Sequence, residues 1–249
     1  MLLITGEDPA LTEQICDGLS QRGIAHGRVD AAHATAERGN LFQAALDARA
    51  TAIAVIEPVP WRGATPPSPS PSAGLLAAAL SATRAPGVTS LLVVTSRPDG
   101  DEGIRRIRRD GAPYIVLRPA PLFRVLPPGA ARALGDRRVL IPPEVAEAFE
   151  DAIPVEALLA AIAKAVSGET PQGKIVDVAA SPETSVLEVL ARAGARPELA
   201  RGLRSRIGRW FGQAIARVDG ADLRIDGVAA GADEAPQRTP AEAMAAAGP

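Results

Sequence analysis

Residues 2–12 read Leu2-Leu3-Ile4-Thr5-Gly6-Glu7-Asp8-Pro9-Ala10-Leu11-Thr12. A short apolar run ends in a glycine. A helical pattern follows to about Arg22, with Leu11, Ile15 and Leu19 spaced by four and Gly23 closing it. The same unit recurs along the chain. Ala25–Asp30 suits a second strand and Leu41–Arg49 a helix, and Thr51–Ile56 reads as a buried strand of small and β-branched residues. Further on, Ala73–Ala85 is helical, Ser90–Thr95 is the strongest strand, Gly103–Arg109 is a short helix and Tyr114–Leu117 a strand. A weak strand around Val139–Ile141, helices at Val155–Ser167 and Ser185–Ala193, and a strand at Lys174–Val178 complete the pattern. Strands alternating with helices at this spacing predict right-handed βαβ units and an α/β fold, Rossmann-type and doubly wound, with a mainly parallel sheet.

In such sheets ligands sit beyond the carboxyl ends of the strands. That rule alone selects Gly6 onward, Asp30, Glu57 onward, Thr95-Ser96 and Arg118-Pro119 as candidate positions. The stretch Pro58–Ser72 contains six prolines and is expected to be extended and mobile, either a lid or an insertion.

Composition narrows the function classes. The 249 residues are 47% apolar but only 3% aromatic, so the core must be aliphatic and base-stacking platforms are scarce. With a net charge of -2 the chain is not a general polyanion binder, and no nucleic-acid partner is expected. The one cysteine, Cys16, excludes an internal disulfide. It lies beside Ile15 in a helix, where a buried inert thiol is expected. Two histidines, His26 and His33, without carboxylates at matched spacing give no metal site. No leader-like or membrane-length apolar segment occurs in the sequence, so a cytoplasmic location is expected.

Several segments, in this order, carry a family likeness: LLITG at 2–6, APGVTSLLVVTS at 85–96, DGAPYIVLRPAPLF at 110–123, and DAIPVEALLAAIAKAV at 151–166 followed by GKIVDVAA at 173–180. Together they resemble the extended or atypical short-chain dehydrogenase/reductases, the NAD-dependent epimerase/dehydratase group, over about residues 1–200. The resemblance implies a sheet that binds NAD or NADP, with a small C-terminal helical, substrate-side portion. Thr5, Gly6, Asp30, Arg118 and Pro119 would meet the cofactor, Asp30 at the adenosine ribose, while Thr95 and Ser96 would stand at the catalytic strand end. As a residue by itself, Asp30 reads equally well as a turn former.

Departures from the family pattern are specific. The family loop is glycine-rich so that the backbone can approach a pyrophosphate. Here only Gly6 survives, with Pro9 and Thr12 where the other two glycines would be. Glu7 and Asp8 add two carboxylates that suit a helix dipole and repel a phosphate. By family spacing the Tyr and Lys of the catalytic dyad fall on about Ser96 and Gly100, so the dyad is absent. The only tyrosine is Tyr114, and the only lysines are Lys164 and Lys174. The rewritten loop leaves open that no cofactor is held, and with it the alternative of an inactive scaffold serving as a regulatory or assembly subunit.

Two arginine-rich segments remain. Arg105, Arg106, Arg108 and Arg109 surround Ile107 and suit a solvated helix face. Leu203–Val218 has the spacing of a basic amphipathic helix with aromatic anchors. Arg204, Ile207, Trp210 and Phe211 would dock it on a protein partner, on an anionic membrane surface, or on its own domain. A homo-oligomer is a further expectation. The domain scheme is therefore 1–200 for the Rossmann-type domain, whose small C-terminal portion spans about 120–200, then 201–228 for the basic helix and extension, and 229–249 for a tail expected to be disordered.

Overall fold

The computed structural model describes residues 1–35, 40–64, 73–98, 101–126, 138–200 and 214–226. They divide into two compact units, Met1–Arg124 with Ala148–Ser185, and Val125–Glu147 with Val186–Pro249. Among the described residues no helix is long and apolar enough to cross a membrane.

The first unit begins β1 (Leu2–Gly6), α1 (Pro9–Gln21), β2 (His26–Arg28), α2 (Ala31–Ala34), α3 (Asn40–Asp47), β3 (Ala52–Ile56), α4 (Ala73–Ala82) and β4 (Ser90–Val94). It continues through α5 (Glu102–Asp110), β5 (Tyr114–Pro119) and β6 (Leu122–Leu126, whose last two residues belong to the second unit). After the chain returns at Ala148 come β8 (Ile153–Pro154), α7 (Val155–Val166) and β9 (Lys174–Val178). Six strands form one sheet in the order β2-β1-β3-β4-β5-β9, and every neighbouring pair is parallel.

Alternate residues of each strand face opposite cores, which explains the near-continuous apolar runs. Leu2 and Ile4 meet Leu11, Ile15 and Leu19 of α1 and Leu158, Leu159 and Ile162 of α7. Leu3, Ile53, Val55, Leu91 and Val93 meet Leu41 of α3, Leu75 and Leu76 of α4, and Ile104 and Ile107 of α5. Helices thus cover both faces, and the doubly wound fold expected from the sequence is present. A six-strand dinucleotide fold of this type places a further strand outside the second one. Here the described chain between β2 and β3 is α2 and α3, and β2 is the sheet's edge.

The winding direction reverses where β1 lies between β2 and β3, so the crevice beyond Gly6 and Ile56 is the topological switch point. One turn at the opposite end carries strain. Arg49, after α3, has φ 50°, while Ala50 N–H donates to Ala45 O at 2.9 Å as in a helix-terminating glycine turn. A side chain there costs about 1 kcal/mol, and the Arg49 side chain is exposed. Arg49→Gly is therefore expected to stabilise the chain by about 0.5–1 kcal/mol, measured by urea unfolding.

The second unit contains β7 (Arg138–Ile141), α6 (Pro143–Ala148, which reaches into the first unit by one residue), α8 (Val186–Arg192), β10 (Arg196–Leu199), β11 (Ala214–Asp219) and β12 (Asp222–Asp226). Its strands lie in the order β10-β7-β11-β12. β10 and β11 run parallel to β7, and β12 runs antiparallel to β11. Here the helix expected over Leu203–Val218 needs correction, because Ala214–Val218 belongs to a strand. The physical cause is Asp219-Gly220-Ala221-Asp222, a two-residue hairpin loop closed by the pair Asp219↔Asp222. Gly220 supplies φ 59° at its first central position. Arg204, Ile207, Trp210 and Phe211 lie outside the described residues.

Candidate functional site

Among the described residues, the buried polar or charged side chains are Thr5, Thr12, Glu57 and Thr95. All four stand at the carboxyl edge of the parallel sheet. Burying a polar group is costly unless it is hydrogen-bonded, so this edge is where the sequence departs from simple core construction.

The β1–α1 turn is built from its own side chains. Asp8 is the N-cap of α1, and its Oδ1 accepts from Leu11 N–H at 3.0 Å. Pro9 opens the helix, where its missing N–H costs nothing. Thr12 donates its hydroxyl to Asp8 O at 2.7 Å and its N–H to the same oxygen at 2.9 Å. Glu7 N–H is bonded to Ile56 O at 3.1 Å. Gly6 is required by the chain itself. A Cβ there would lie 2.4 Å from Thr12 Oγ1, 2.9 Å from Ile56 Cβ and 3.0 Å from Ile56 O.

Residues following β3 cross the outer part of this turn. Pro60 O accepts from Leu122 N–H, and Arg62 N–H donates to Leu122 O, both at 2.8 Å. Arg62 Nε donates to Ala148 O at 2.7 Å, and its guanidinium lies 5.1 Å from the centre of the Phe149 ring. Phe149 in turn packs on Phe123, their centres 4.7 Å apart. Trp61 carries the Arg124 guanidinium on its face at 4.9 Å, and its Nε1 reaches Asp8 Oδ2 at 3.5 Å. The expected mobility of Pro58–Ser72 therefore does not apply to Pro58–Ala64, which backbone pairing and ring contacts hold in place. Residues 65–72 lie outside the described residues.

The deepest feature joins β3 to β4. Glu57 follows β3 and is 2% exposed. Its Oε2 accepts from Thr95 Oγ1 at 2.5 Å and from Arg97 Nε at 2.7 Å. Thr95 Oγ1 accepts in turn from Arg97 N–H at 3.1 Å. Arg97 Nη1 also reaches Asp101 Oδ1 at 3.2 Å, and Asp101 caps α5 by accepting from Gly103 N–H at 2.7 Å. Burial works against the charge of Arg97, but hydrogen bonds and attraction from Glu57 and then Asp101 outweigh it, holding its pKa above the usual arginine value. The network is a charge-assisted clamp between two adjacent strand ends.

Other residues selected by the sequence fall as follows. Thr5 Oγ1 is buried without a hydrogen-bond partner. Asp30 caps α2, accepting from Ala32 N–H at 3.0 Å, and is exposed. Arg118 makes a two-point ion pair with Asp177 of β9, Nε to Oδ1 at 2.8 Å and Nη2 to Oδ2 at 3.0 Å. Pro119 is in register with Val178. Ser96 is exposed at the strand end. Thr5, Gly6, Thr95 and Arg118 stand at carboxyl ends of strands in one sheet, Arg118 paired to Asp177 of the neighbouring strand, while Asp30 is engaged in its own helix cap. Cys16 is half-buried, and desolvation pushes its thiol pKa up although Arg28 pulls it down. Among the described residues no cluster suits a metal ion. Arg97 was missed by sequence reasoning. Its signal is an acid after one buried strand and an arginine just after the next.

A dinucleotide needs free amides at the start of α1 and close backbone approach. Asp8 takes the Leu11 amide, Pro9 supplies none, Thr12 fills the space above Gly6, and Glu7 and Asp8 place two carboxylates in the turn. These residues do not fit a pyrophosphate.

No protein-family model matches the chain. No curated protein matches it either. Solved structures with a similar chain course include the Thermus thermophilus UDP-glucose 4-epimerase in complex with NAD, at TM-score 0.46 and 16% identity, covering 81% of this chain and 86% of that one. Another is the Citrobacter sp. triphenylmethane reductase complexed with NADP(H), at TM-score 0.45 and 12% identity, covering 84% and 81%. A third is the UDP-N-acetylglucosamine 4-epimerase from Bacillus cereus, at TM-score 0.42 and 9% identity, covering 83% and 92%.

Proposed function

We propose that this chain is an epimerase/dehydratase-like Rossmann protein that performs no hydride transfer and serves as a regulatory or assembly subunit. The observation that carries the reading is the position of its phenol and amines. Tyr114 is the first residue of β5, and Lys174 is the first residue of β9, paired in register with Ile115. Both stand at the amino end of a parallel sheet, opposite the edge that holds Thr95. Lys164 lies in the last turn of α7. No tyrosine or lysine of this chain is placed to exchange a proton beside Thr95, and the Thr95 hydroxyl is itself committed to Glu57 and to Arg97 N–H.

The test is a turnover assay of the full chain with oxidised and reduced NAD and NADP and a panel of nucleotide sugars, followed by nicotinamide absorbance and product analysis. No turnover above a protein-free control is expected. Turnover that Thr95→Val abolishes would refute the reading. For the partner, the sequence offers the basic segment with Arg204, Ile207, Trp210 and Phe211. Replacing Trp210 and Phe211 by alanine is expected to release whatever protein or anionic membrane surface co-purifies, without changing the thermal melt.

A further inference from the structure

We infer that the chain excludes dinucleotides because its own carboxylates occupy the position of the phosphate: the switch point is closed in cis by Asp8, with Glu7 as a second repelling charge. The inference goes beyond the loss of turnover, since a protein that cannot catalyse can still bind. Three observations converge. Asp8 presents one oxygen at 3.0 Å to the amide of Leu11, one of the N–H groups at the start of α1 that an incoming anion would use. Its other oxygen is held from outside by Trp61 Nε1 at 3.5 Å, so the carboxylate has partners on both sides. Thr12 fills the remaining space over Gly6, 2.4 Å from where a Cβ would stand. A helix start already neutralised by its own carboxylate gains little from a second anion, and two negative charges beside it repel one. Retention of Gly6 fits this picture, because the glycine accommodates Thr12 and Ile56.

The test compares the wild-type chain with the double variant Glu7→Gln/Asp8→Gly. Glycine keeps most of an N-cap's contribution, so the variant is expected to fold, and its circular dichroism and melt are checked first. Binding of inorganic pyrophosphate and of NADH is measured by isothermal titration calorimetry. Wild-type protein is expected to show no saturable heat with either probe at millimolar concentration. The variant is expected to bind pyrophosphate at least about tenfold more tightly than wild type, the gain expected from removing one or two screened repulsions. Saturable one-to-one binding of NADH by wild-type protein would overturn the inference while leaving the absence of turnover intact. A folded variant with no gain for pyrophosphate would also overturn it, since the carboxylates would then not be the barrier.

Discussion

Replacing Arg97 by methionine is expected to destabilise the protein by about 2–3 kcal/mol, a loss of roughly 4–12 °C in melting temperature for a chain of this size. That figure starts from the cost of leaving a buried charge without its partner and is reduced because the Arg97 side chain is 19% exposed. Glu57, whose side chain is 3% exposed, would keep the Thr95 hydrogen bond and lose the Arg97 guanidinium. Asp101 would lose the same guanidinium while still capping α5. The second substitution of a double-mutant cycle separates the effects. In Glu57→Met/Arg97→Met both charges are gone, and the pair is expected to be more stable than Arg97→Met alone. Additive losses in the cycle, read from urea unfolding, would show that the two residues act independently and that the clamp is not one unit.

Gly6→Ala is expected to cost about 2 kcal/mol without any ligand present. The added Cβ meets Ile56 Cβ at 2.9 Å and the Ile56 carbonyl oxygen at 3.0 Å, and neither can swing aside as the end of a long side chain would. Thr12→Ala in the same background removes the 2.4 Å contact with Oγ1 but leaves the Ile56 contacts, so only part of the loss should return. This distinguishes two reasons for a glycine at this position. If Gly6 were kept for a ligand's approach, alanine would leave the unliganded stability nearly unchanged. If it is kept for the close fit of β1, α1 and β3, the loss appears in the protein alone.

Much of the first unit was legible because each of its central strands is buried on both faces. Ser90–Val94 and Ala52–Ile56 have no polar alternation, and the glycines and prolines around them punctuate the pattern clearly. The second unit was legible at β7 and α8 but not in its other strands, for the opposite reason. β10 and β12 are half-exposed, and the apolar spacing from Leu203 to Val218 satisfies a helix until the Asp219-Gly220 turn is given its weight. The site divides in the same way. The cap of α1 could be read locally from Asp8, Pro9 and Thr12. The Glu57–Arg97 pair could not, because its members are 40 residues apart and meet only once β3 and β4 are known to be neighbours. The Tyr114 result likewise needed the sheet: the sequence shows one tyrosine, and only strand direction reveals which end of the fold it occupies.

A helix start capped by its own Asp8, with Thr12 seated over Gly6, should gain nothing from a nucleotide. Thermal unfolding of the wild-type chain, with and without oxidised or reduced NAD and NADP, decides the matter. A dinucleotide at one hundred times its dissociation constant would add about 2.7 kcal/mol, or roughly 5–10 °C here. Coincident melting curves are expected for all four forms at millimolar concentration. A saturable rise of several degrees with any one of them would contradict a self-capped β1–α1 turn.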